Sequence, residues 1–152
     1  MFNDLFTDQL DLPQHHFDAI TFNDSLEHFA DPVPALRYCR ELLAPDGIIV
    51  CTLPNVRHVA NLEHILFEKD WQYMGAGIRD RTHLRFFTKL SMNRLFAESG
   101  FETVKQVGIN EDWWSAEKRL RRLMFRLFPG FTEDMRYIQY VNVLRPARAP
   151  AR

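Results

Sequence analysis

Polar side chains follow two apolar stretches of this 152-residue chain, and they are the first candidates for chemistry. Residues 17–24 form a β-branched and aromatic run that predicts a buried strand, and residues 48–53 form a run that is apolar on both faces. The positions at and after the ends of these runs are Asn23, Asp24, Glu27, His28, Pro54 and Asn55. Because ligands bind beyond the carboxyl ends of strands in an open parallel sheet, both groups are expected to face one crevice. Local capping by Glu27-His28 and a simple turn at Pro54-Asn55 are the alternatives.

A helix between the two predicted strands would provide the connection that parallel strands require. Asp31-Pro32 has the residue types of an N-cap and a first helical position. Apolar residues at helical spacing then predict a helix over residues 32–43, and Pro45-Asp46-Gly47 predicts the turn that ends it. Strand, helix and strand in this order form a βαβ unit, whose crossover is expected to be right-handed.

An irregular stretch separates this unit from the remaining predicted elements. The apolar period of residues 56–66 predicts a helix, whereas residues 68–88 show no period and resemble a lid or binding loop in length. Thr88 predicts the cap of a further helix, which Gly100 ends. The last predicted strands are residues 101–107 and 137–144.

Residues 112–128 form a basic amphipathic segment between those last two strands. Its apolar residues are Trp113, Leu120, Leu123, Met124, Leu127 and Phe128, and its basic residues are Lys118, Arg119, Arg121, Arg122 and Arg126. The pattern predicts a helix that packs on its own domain and leaves its arginines in solvent. A membrane surface or a partner protein is the alternative occupant of the apolar side.

The composition predicts one globular domain and limits its partners. The formal net charge of -1 gives no global electrostatic reason to bind nucleic acid or an anionic membrane. Cys39 and Cys51 have no partners at metal-ligand spacing, so both are predicted to be buried thiols and no metal site is predicted. A membrane span of about 18 apolar residues and a signal peptide are both missing from the sequence, which predicts a cytoplasmic location.

Motifs for phosphate cradles, hydrolases and zinc enzymes are also missing. The glycines are scattered except for Gly75-Ala-Gly77, which follows an aromatic segment and not a strand. The sequence contains no Gly-x-Ser-x-Gly, His-Glu-x-x-His or Cys-x-x-Cys motif. These classes of function are therefore not predicted.

Six short motifs occur in a fixed order along the chain. They are Phe17-Asp-Ala-Ile-Thr-Phe-Asn-Asp-Ser-Leu-Glu-His28, Asp31-Pro32, Leu42-Leu-Ala-Pro-Asp-Gly47, Thr52-Leu-Pro-Asn55, Asp80-Arg-Thr-His-Leu-Arg-Phe-Phe-Thr88 and Ser99-Gly-Phe101. Over roughly residues 15–107 this set resembles the class I S-adenosylmethionine-dependent methyltransferases, in particular the ubiquinone-pathway O-methyltransferases. The resemblance implies an α/β fold with a partial doubly wound, Rossmann-like sheet, mostly parallel with a C-terminal antiparallel hairpin.

The implied activity is methyl transfer from S-adenosylmethionine to a small-molecule acceptor, as O-methylation. The family's glycine-rich turn and ribose-binding acid have no counterpart in the sequence, so the N-terminal cofactor-binding half is expected to be missing. A non-catalytic dimerising or partner-binding module derived from a methyltransferase is the alternative. Residues 1–145 would form the domain portion, with a cap at 56–88, an inserted amphipathic helix at 111–130 and a disordered tail at 146–152.

The resemblance also assigns site residues. The cofactor would lie against Asp4, Asn23, Asp24 and Leu26, and the acceptor against Pro54, Asn55, Tyr73, Asp80 and Arg85. His83 and His28 would be the candidate general bases for a hydroxyl acceptor, since the unperturbed pKa of histidine lies near neutrality. A hydrogen-bonded loop lock is the alternative role for His83. The strand at 17–23 would lack neighbours, so self-association through an exposed sheet edge is expected.

Overall fold

Four strands form one mixed sheet in the computed structural model, which describes residues 12–111 and 119–148. The strands are β1 (Phe17–Asn23), β2 (Leu43–Pro54), β3 (Phe101–Glu111) and β4 (Tyr137–Pro146). Their order is β1-β2-β4-β3, with β1 parallel to β2 and β4 antiparallel to both β2 and β3. Three strands therefore run in one direction and β3 and β4 form an antiparallel pair, which confirms the predicted α/β, Rossmann-like sheet.

Five α-helices accompany the sheet in the described part of the chain, and the two whose caps the sequence predicts, at Asp31 and Thr88, begin directly after those residues. The five are α1 (Pro32–Leu42), α2 (Val59–Glu63), α3 (Lys89–Glu98), α4 (Arg119–Leu127) and α5 (Pro129–Thr132), with shorter turns at Leu26–His28, His64–Glu68 and Glu133–Arg136. The Asp31 side chain accepts a hydrogen bond of 3.0 Å from the N–H of Val33 at the start of α1. A capping box between Thr88 and Ser91 begins α3, and Gly100 follows its end with φ +83°.

Helices α1 and α3 cover the sheet and complete the core. The fully buried side chains include Leu26, Leu36, Ile49, Leu53, Met92, Phe96 and Leu144. Cys39 on α1 and Cys51 on β2 are also fully buried, and both thiols are free, which confirms their prediction as buried thiols. Burial raises the pKa of each thiol to about 12, so neither is a nucleophile at neutral pH.

The predicted turn at Pro45-Asp46-Gly47 is wrong, because these residues lie inside β2. Phe17 of β1 pairs with Leu43 and Ala19 already pairs with Ile48, so the intervening part of β2 bulges. A Cβ on Gly47 would lie 2.7 Å from the carbonyl oxygen of Phe17, so the bulge needs glycine at this point.

The last strands are longer than predicted. β3 continues to Glu111, and Pro146 of β4 still pairs with Phe101. The N–H of Ala147 donates to the carbonyl of Gly100 at 2.9 Å, which continues the contact between these two strands by one residue.

The predicted packing of the basic helix is wrong. Arg121 and Phe125 are the buried residues of α4, whereas Leu120, Leu123 and Leu127 are exposed. The remaining predicted residues of this segment, 112–118, lie outside the described residues. Within the described part of the chain, every helix is too short or too polar to cross a lipid bilayer.

Gly108 offers a direct test of the β3–β4 packing. A Cβ added at Gly108 would lie 2.2 Å from Cγ of Tyr137, which is a severe clash. Gly108→Ala should therefore lower the free energy of unfolding by about 1–3 kcal/mol. Urea unfolding of the two proteins measures this difference. Gly130→Ala is the control, because no heavy atom lies within 4 Å of the position of its Cβ. Equal stability of the wild type and Gly108→Ala would contradict the packing described.

Candidate active site

The carboxyl ends of β1 and β2 lie side by side, as the sequence predicts. Asn23 pairs with Thr52 at the end of the parallel ladder and its side chain is exposed. Asp24 follows with φ +46°, its N–H donates to Oγ1 of Thr52 at 2.9 Å, and its Oδ1 accepts from Nε2 of Gln139 at 2.7 Å. Asp24 therefore ties the end of β1 to β2 and β4.

Residues 69–87 lie against this edge and contain no helix or strand beyond isolated bridges, which confirms the irregular stretch. The carbonyl of Glu27 accepts hydrogen bonds from the N–H groups of Leu84 and Arg85 at 2.8 and 3.0 Å. The guanidinium of Arg85 donates to the carbonyl of Ala30, with Nε at 2.7 Å. An isolated bridge between Phe87 and Asn55 attaches the other end of the segment to β2. The segment is thus fixed beside the ends of both strands.

Two histidine rings meet at this edge. The ring centroids of His28 and His83 are 4.8 Å apart, with an edge-to-face angle of 73°. Nδ1 of His28 lies 3.1 Å from the carbonyl of Thr82, and Nδ1 of His83 lies 3.2 Å from the carbonyl of Ile78. Because a carbonyl oxygen only accepts, each Nδ1 donates, and each neutral ring keeps its lone pair on Nε2. Both rings are therefore in the tautomer that accepts a proton at Nε2.

The carboxyl group of Glu27 lies beneath these rings. Glu27 is 1% exposed, and its Oε1 is 3.9 Å from Nε2 of His83. Oε2 is buried and has no hydrogen-bond partner among the described residues. The pKa of this carboxyl group is raised from 4.5 to about 7, mainly because the group is removed from water and to a smaller extent because Asp24 is near. Glu27 therefore exchanges a proton in the pH range where general acids and bases operate.

The same three residues could hold a divalent cation. The ligand atoms of Glu27, His28 and His83 all lie within 4.8 Å of one another, and this is the one such group among the residues that the structure describes. Two imidazole nitrogens and a carboxylate oxygen suit zinc, manganese or iron. The spacing of potential metal ligands along the sequence predicted no metal site, because Glu27-His28 and His83 are far apart in the sequence. Only the fold brings them together.

Asp80 and Tyr73 occupy the outer part of the segment. Asp80 is half-buried and accepts hydrogen bonds from the N–H and Oγ1 of Thr82 at 2.8 and 2.7 Å, which lower the pKa of its carboxyl group. Tyr73 is 54% exposed and packs edge-on against Trp71. Asp80 thus shapes the loop that presents His83, and Tyr73 is open to a ligand.

Three of the predicted contact residues offer no surface to a ligand. Leu26 belongs to the core, and Pro54 and Asn55 are buried at the end of β2. Nδ2 of Asn55 donates to the carbonyls of Asp134 at 2.7 Å and Tyr137 at 3.0 Å. In this arrangement Asn55 locks β2 to the start of β4. Asp4 lies outside the described residues.

A Rossmann-like sheet with a histidine–carboxylate cluster at its carboxyl edge is typical of a small-molecule enzyme of the doubly wound class. Residues 2–106 match the sequence profile of the methyltransferase domain family, which is more than half of the chain. The chain therefore belongs to the methyltransferase domain family. This confirms the resemblance noted in the sequence, and S-adenosylmethionine is the cofactor of that class.

Comparisons with individual proteins agree with this membership. The ubiquinone biosynthesis O-methyltransferase of Cereibacter sphaeroides strain ATCC 17025 is 30% identical over 103 residues, which are 65% of this chain and 40% of that protein. The chain thus spans about 40% of the length of such curated relatives.

Solved structures share the fold at low sequence identity. One is the 1,6-didemethyltoxoflavin-N1-methyltransferase of Burkholderia thailandensis with bound S-adenosylhomocysteine (TM-score 0.55, 17% identity, 93% of this chain and 48% of that one). Another is the [4+2]-cyclase SpnF (TM-score 0.60, 16% identity, 97% of this chain and 56% of that one). The fold alone therefore does not determine the reaction.

Glu27→Gln tests the buried carboxyl group. The pKa of Glu27 rises from 4.5 to about 7 on folding, so its ionised form destabilises the folded state. The wild type should lose stability relative to Glu27→Gln as the pH rises from about 5 to about 8, by up to about 3 kcal/mol. Urea unfolding at both pH values measures this. Glu98→Gln, at an exposed glutamate on α3, is the control, and a pH-independent difference would contradict the burial of the charge.

Proposed function

We propose that this chain forms the acceptor side of an S-adenosylmethionine-dependent methyltransferase that methylates a hydroxyl group of a small molecule. Family membership and the O-methyltransferase relatives support methyl transfer. The His28–His83 ring pair, with Nε2 of His83 beside the Glu27 carboxyl group, is the observation that carries O-methylation, because a hydroxyl acceptor must lose a proton and an amine acceptor need not.

The chain's own residues fit one wall of a cofactor site. Asn23 and Asp24 present polar side chains at the end of β1, beside the position that the family uses for the methionine part of the cofactor. Leu26 supports that wall from the core and does not reach the surface. The glycine-rich turn of the family has no counterpart in this sequence, so we expect the chain alone to bind S-adenosylmethionine weakly.

His83 is the proposed general base. S-adenosylmethionine held against Asn23 and Asp24 would supply an activated methyl group on a sulfonium, which a deprotonated acceptor oxygen can accept. Nε2 of His83 takes the hydroxyl proton, Nδ1 keeps its hydrogen bond to Ile78, and the Glu27 carboxylate stabilises the resulting imidazolium. His28 lies against His83 at the more exposed side and is placed to pass that proton to solvent.

Residues 56–88 are proposed as the cap over the acceptor, within a domain portion that spans residues 1–145. The hydrogen bonds of Glu27 to Leu84 and Arg85 support this role, because they hold the segment beside the histidines. Exposed Tyr73 and half-buried Asp80 are the polar side chains that the cap offers to an acceptor. Residues 111–130 are proposed as an insertion that is separate from this site.

His83→Ala tests the assignment in a chimera that joins this chain to the amino-terminal part of the Cereibacter sphaeroides relative. The single-turnover rate at saturating acceptor should fall about a hundredfold or more, while cofactor affinity stays nearly unchanged. Methyl transfer from labelled S-adenosylmethionine to a panel of phenols and sugars measures the rate. His16→Ala, at the opposite end of β1, is the control. An unchanged rate would remove the catalytic role, whereas a lower melting temperature with an unchanged rate would indicate a loop lock.

A bound cation is the second candidate way to remove the hydroxyl proton. The orphan Oε2 of Glu27 favours it, since a buried carboxylate oxygen without a donor is well suited to a metal ion. The same assay with EDTA separates the two mechanisms. Loss of activity that Zn²⁺ or Mn²⁺ restores would support the cation, and activity that is insensitive to EDTA would support His83 as the base.

We also propose that the chain self-associates through β1. Among the described residues β1 pairs only with β2, so one edge of β1 presents unpaired N–H and carbonyl groups. A second copy is the proposed occupant, because two β1 strands can pair with each other about a twofold axis.

Thr21→Lys tests this edge. Thr21 is exposed in the middle of β1, and a lysine there should hinder strand pairing, so a dimer of the wild type should become a monomer in light scattering. Val104→Lys makes a comparable change on β3, the opposite edge strand, and should leave the dimer intact. A monomeric wild type at high concentration would refute self-association.

A further inference from the structure

Helix α4 carries two parallel stripes of opposite chemistry. Leu120, Leu123 and Leu127 are spaced i, i+3 and i+7, so they share one side of the helix. A second stripe has the same spacing one residue earlier and consists of Arg119, Arg122 and Arg126. Because successive helical residues are about 100° apart, the arginine stripe runs alongside the leucine stripe. Together these six residues form the leucine–arginine face.

The protein holds α4 by its other side. The guanidinium of Arg121 pairs with both carboxylate oxygens of Glu63 on α2. Phe125 packs with Val59 and Met135 in a small second core. Since Arg121 and Phe125 lie about 150° around the helix from the leucine stripe, that stripe points away from the protein.

The apolar surface continues beyond the helix. Leu120 is 76% exposed, and Phe67 in the turn after α2 is 74% exposed. Together with Leu66 and Phe131 they border a groove of about 570 Å³ between α2 and α4. Single exposed leucines are ordinary, but a contiguous surface of this kind marks an interaction site.

We propose that the leucine–arginine face docks on an anionic lipid bilayer, with α4 lying in the plane of the interface. The leucines and the neighbouring aromatic residues would enter the boundary of the acyl chains, and the arginines beside them would meet the lipid phosphates. Among the described residues of α4, Arg119 and Arg126 are exposed and none is acidic, so the local charge of residues 119–127 is positive although the whole chain has a formal net charge of -1.

Charge complementarity decides against a second copy as the occupant. Two leucine–arginine faces in contact would bring the exposed Arg119 and Arg126 of both copies together, with no acidic side chain in the described part of either helix. An anionic bilayer supplies the negative charge that this arrangement lacks. The proposal does not depend on the methyl-transfer activity, because its residues are separate from the Glu27–His83 cluster.

Co-sedimentation with vesicles tests the proposal on the purified chain. We expect binding to equimolar phosphatidylglycerol and phosphatidylcholine, little binding to phosphatidylcholine alone, and weaker binding as salt is raised. Leu123→Gln should lower the partition coefficient about tenfold, and Arg126→Gln about fivefold. Both side chains are exposed, so neither change should alter the fold.

Helix α3 offers matched controls. It exposes Leu90 and Arg94 on a different surface, and Leu90→Gln and Arg94→Gln should each leave the partition coefficient unchanged. Equal losses in test and control variants, equal binding to neutral vesicles, or no binding at all would overturn the proposal. A dimer in light scattering that Leu123→Gln dissociates would overturn it in favour of a second copy.

Discussion

The candidate site depends on two hydrogen bonds that converge on one backbone carbonyl. The carbonyl oxygen of Glu27 accepts from the N–H groups of Leu84 and Arg85, at 2.8 and 3.0 Å. These bonds attach the irregular segment to the short turn after β1. They also determine where His83, the residue before Leu84, can lie. Together with the bond from Arg85 to the carbonyl of Ala30, they bring two histidines from separate loops into one site.

The same residue brings an energetic cost into the site. The Glu27 carboxyl group is buried, Oε2 lacks a donor among the described residues, and burial raises its pKa to about 7. A buried carboxyl group of this kind adds little to stability, because the loss of hydration is not offset by hydrogen bonds. A perturbed carboxyl group next to a histidine pair is more typical of a functional site than of a packing element.

Local sequence signals predicted where helices α1 and α3 begin, but they did not predict the contacts between residues that are distant in the sequence. The Asp31 and Thr88 caps predicted α1 and α3, because capping depends on residues within one helical turn. The bulge before Gly47 was not predicted, since it arises from the pairing of β2 with Phe17 of β1. Similarly, nothing near Asn55 indicates that its amide group bonds to carbonyls about 80 residues later. His28 and His83 were chosen as candidates because the resemblance supplied long-range information that local patterns lack.

Helix α4 shows a different limit of sequence patterns. The alternation of apolar and basic residues predicted a two-sided helix, but periodicity does not say which side faces the protein. The decisive residue is Phe125, an aromatic side chain among the arginines, which together with the Arg121–Glu63 pair holds that side inward. With Phe125 and Arg121 inside, the leucines must be outside. An exposed leucine stripe costs solubility and contributes nothing to the described core, so its retention is explained most simply by a surface that covers it.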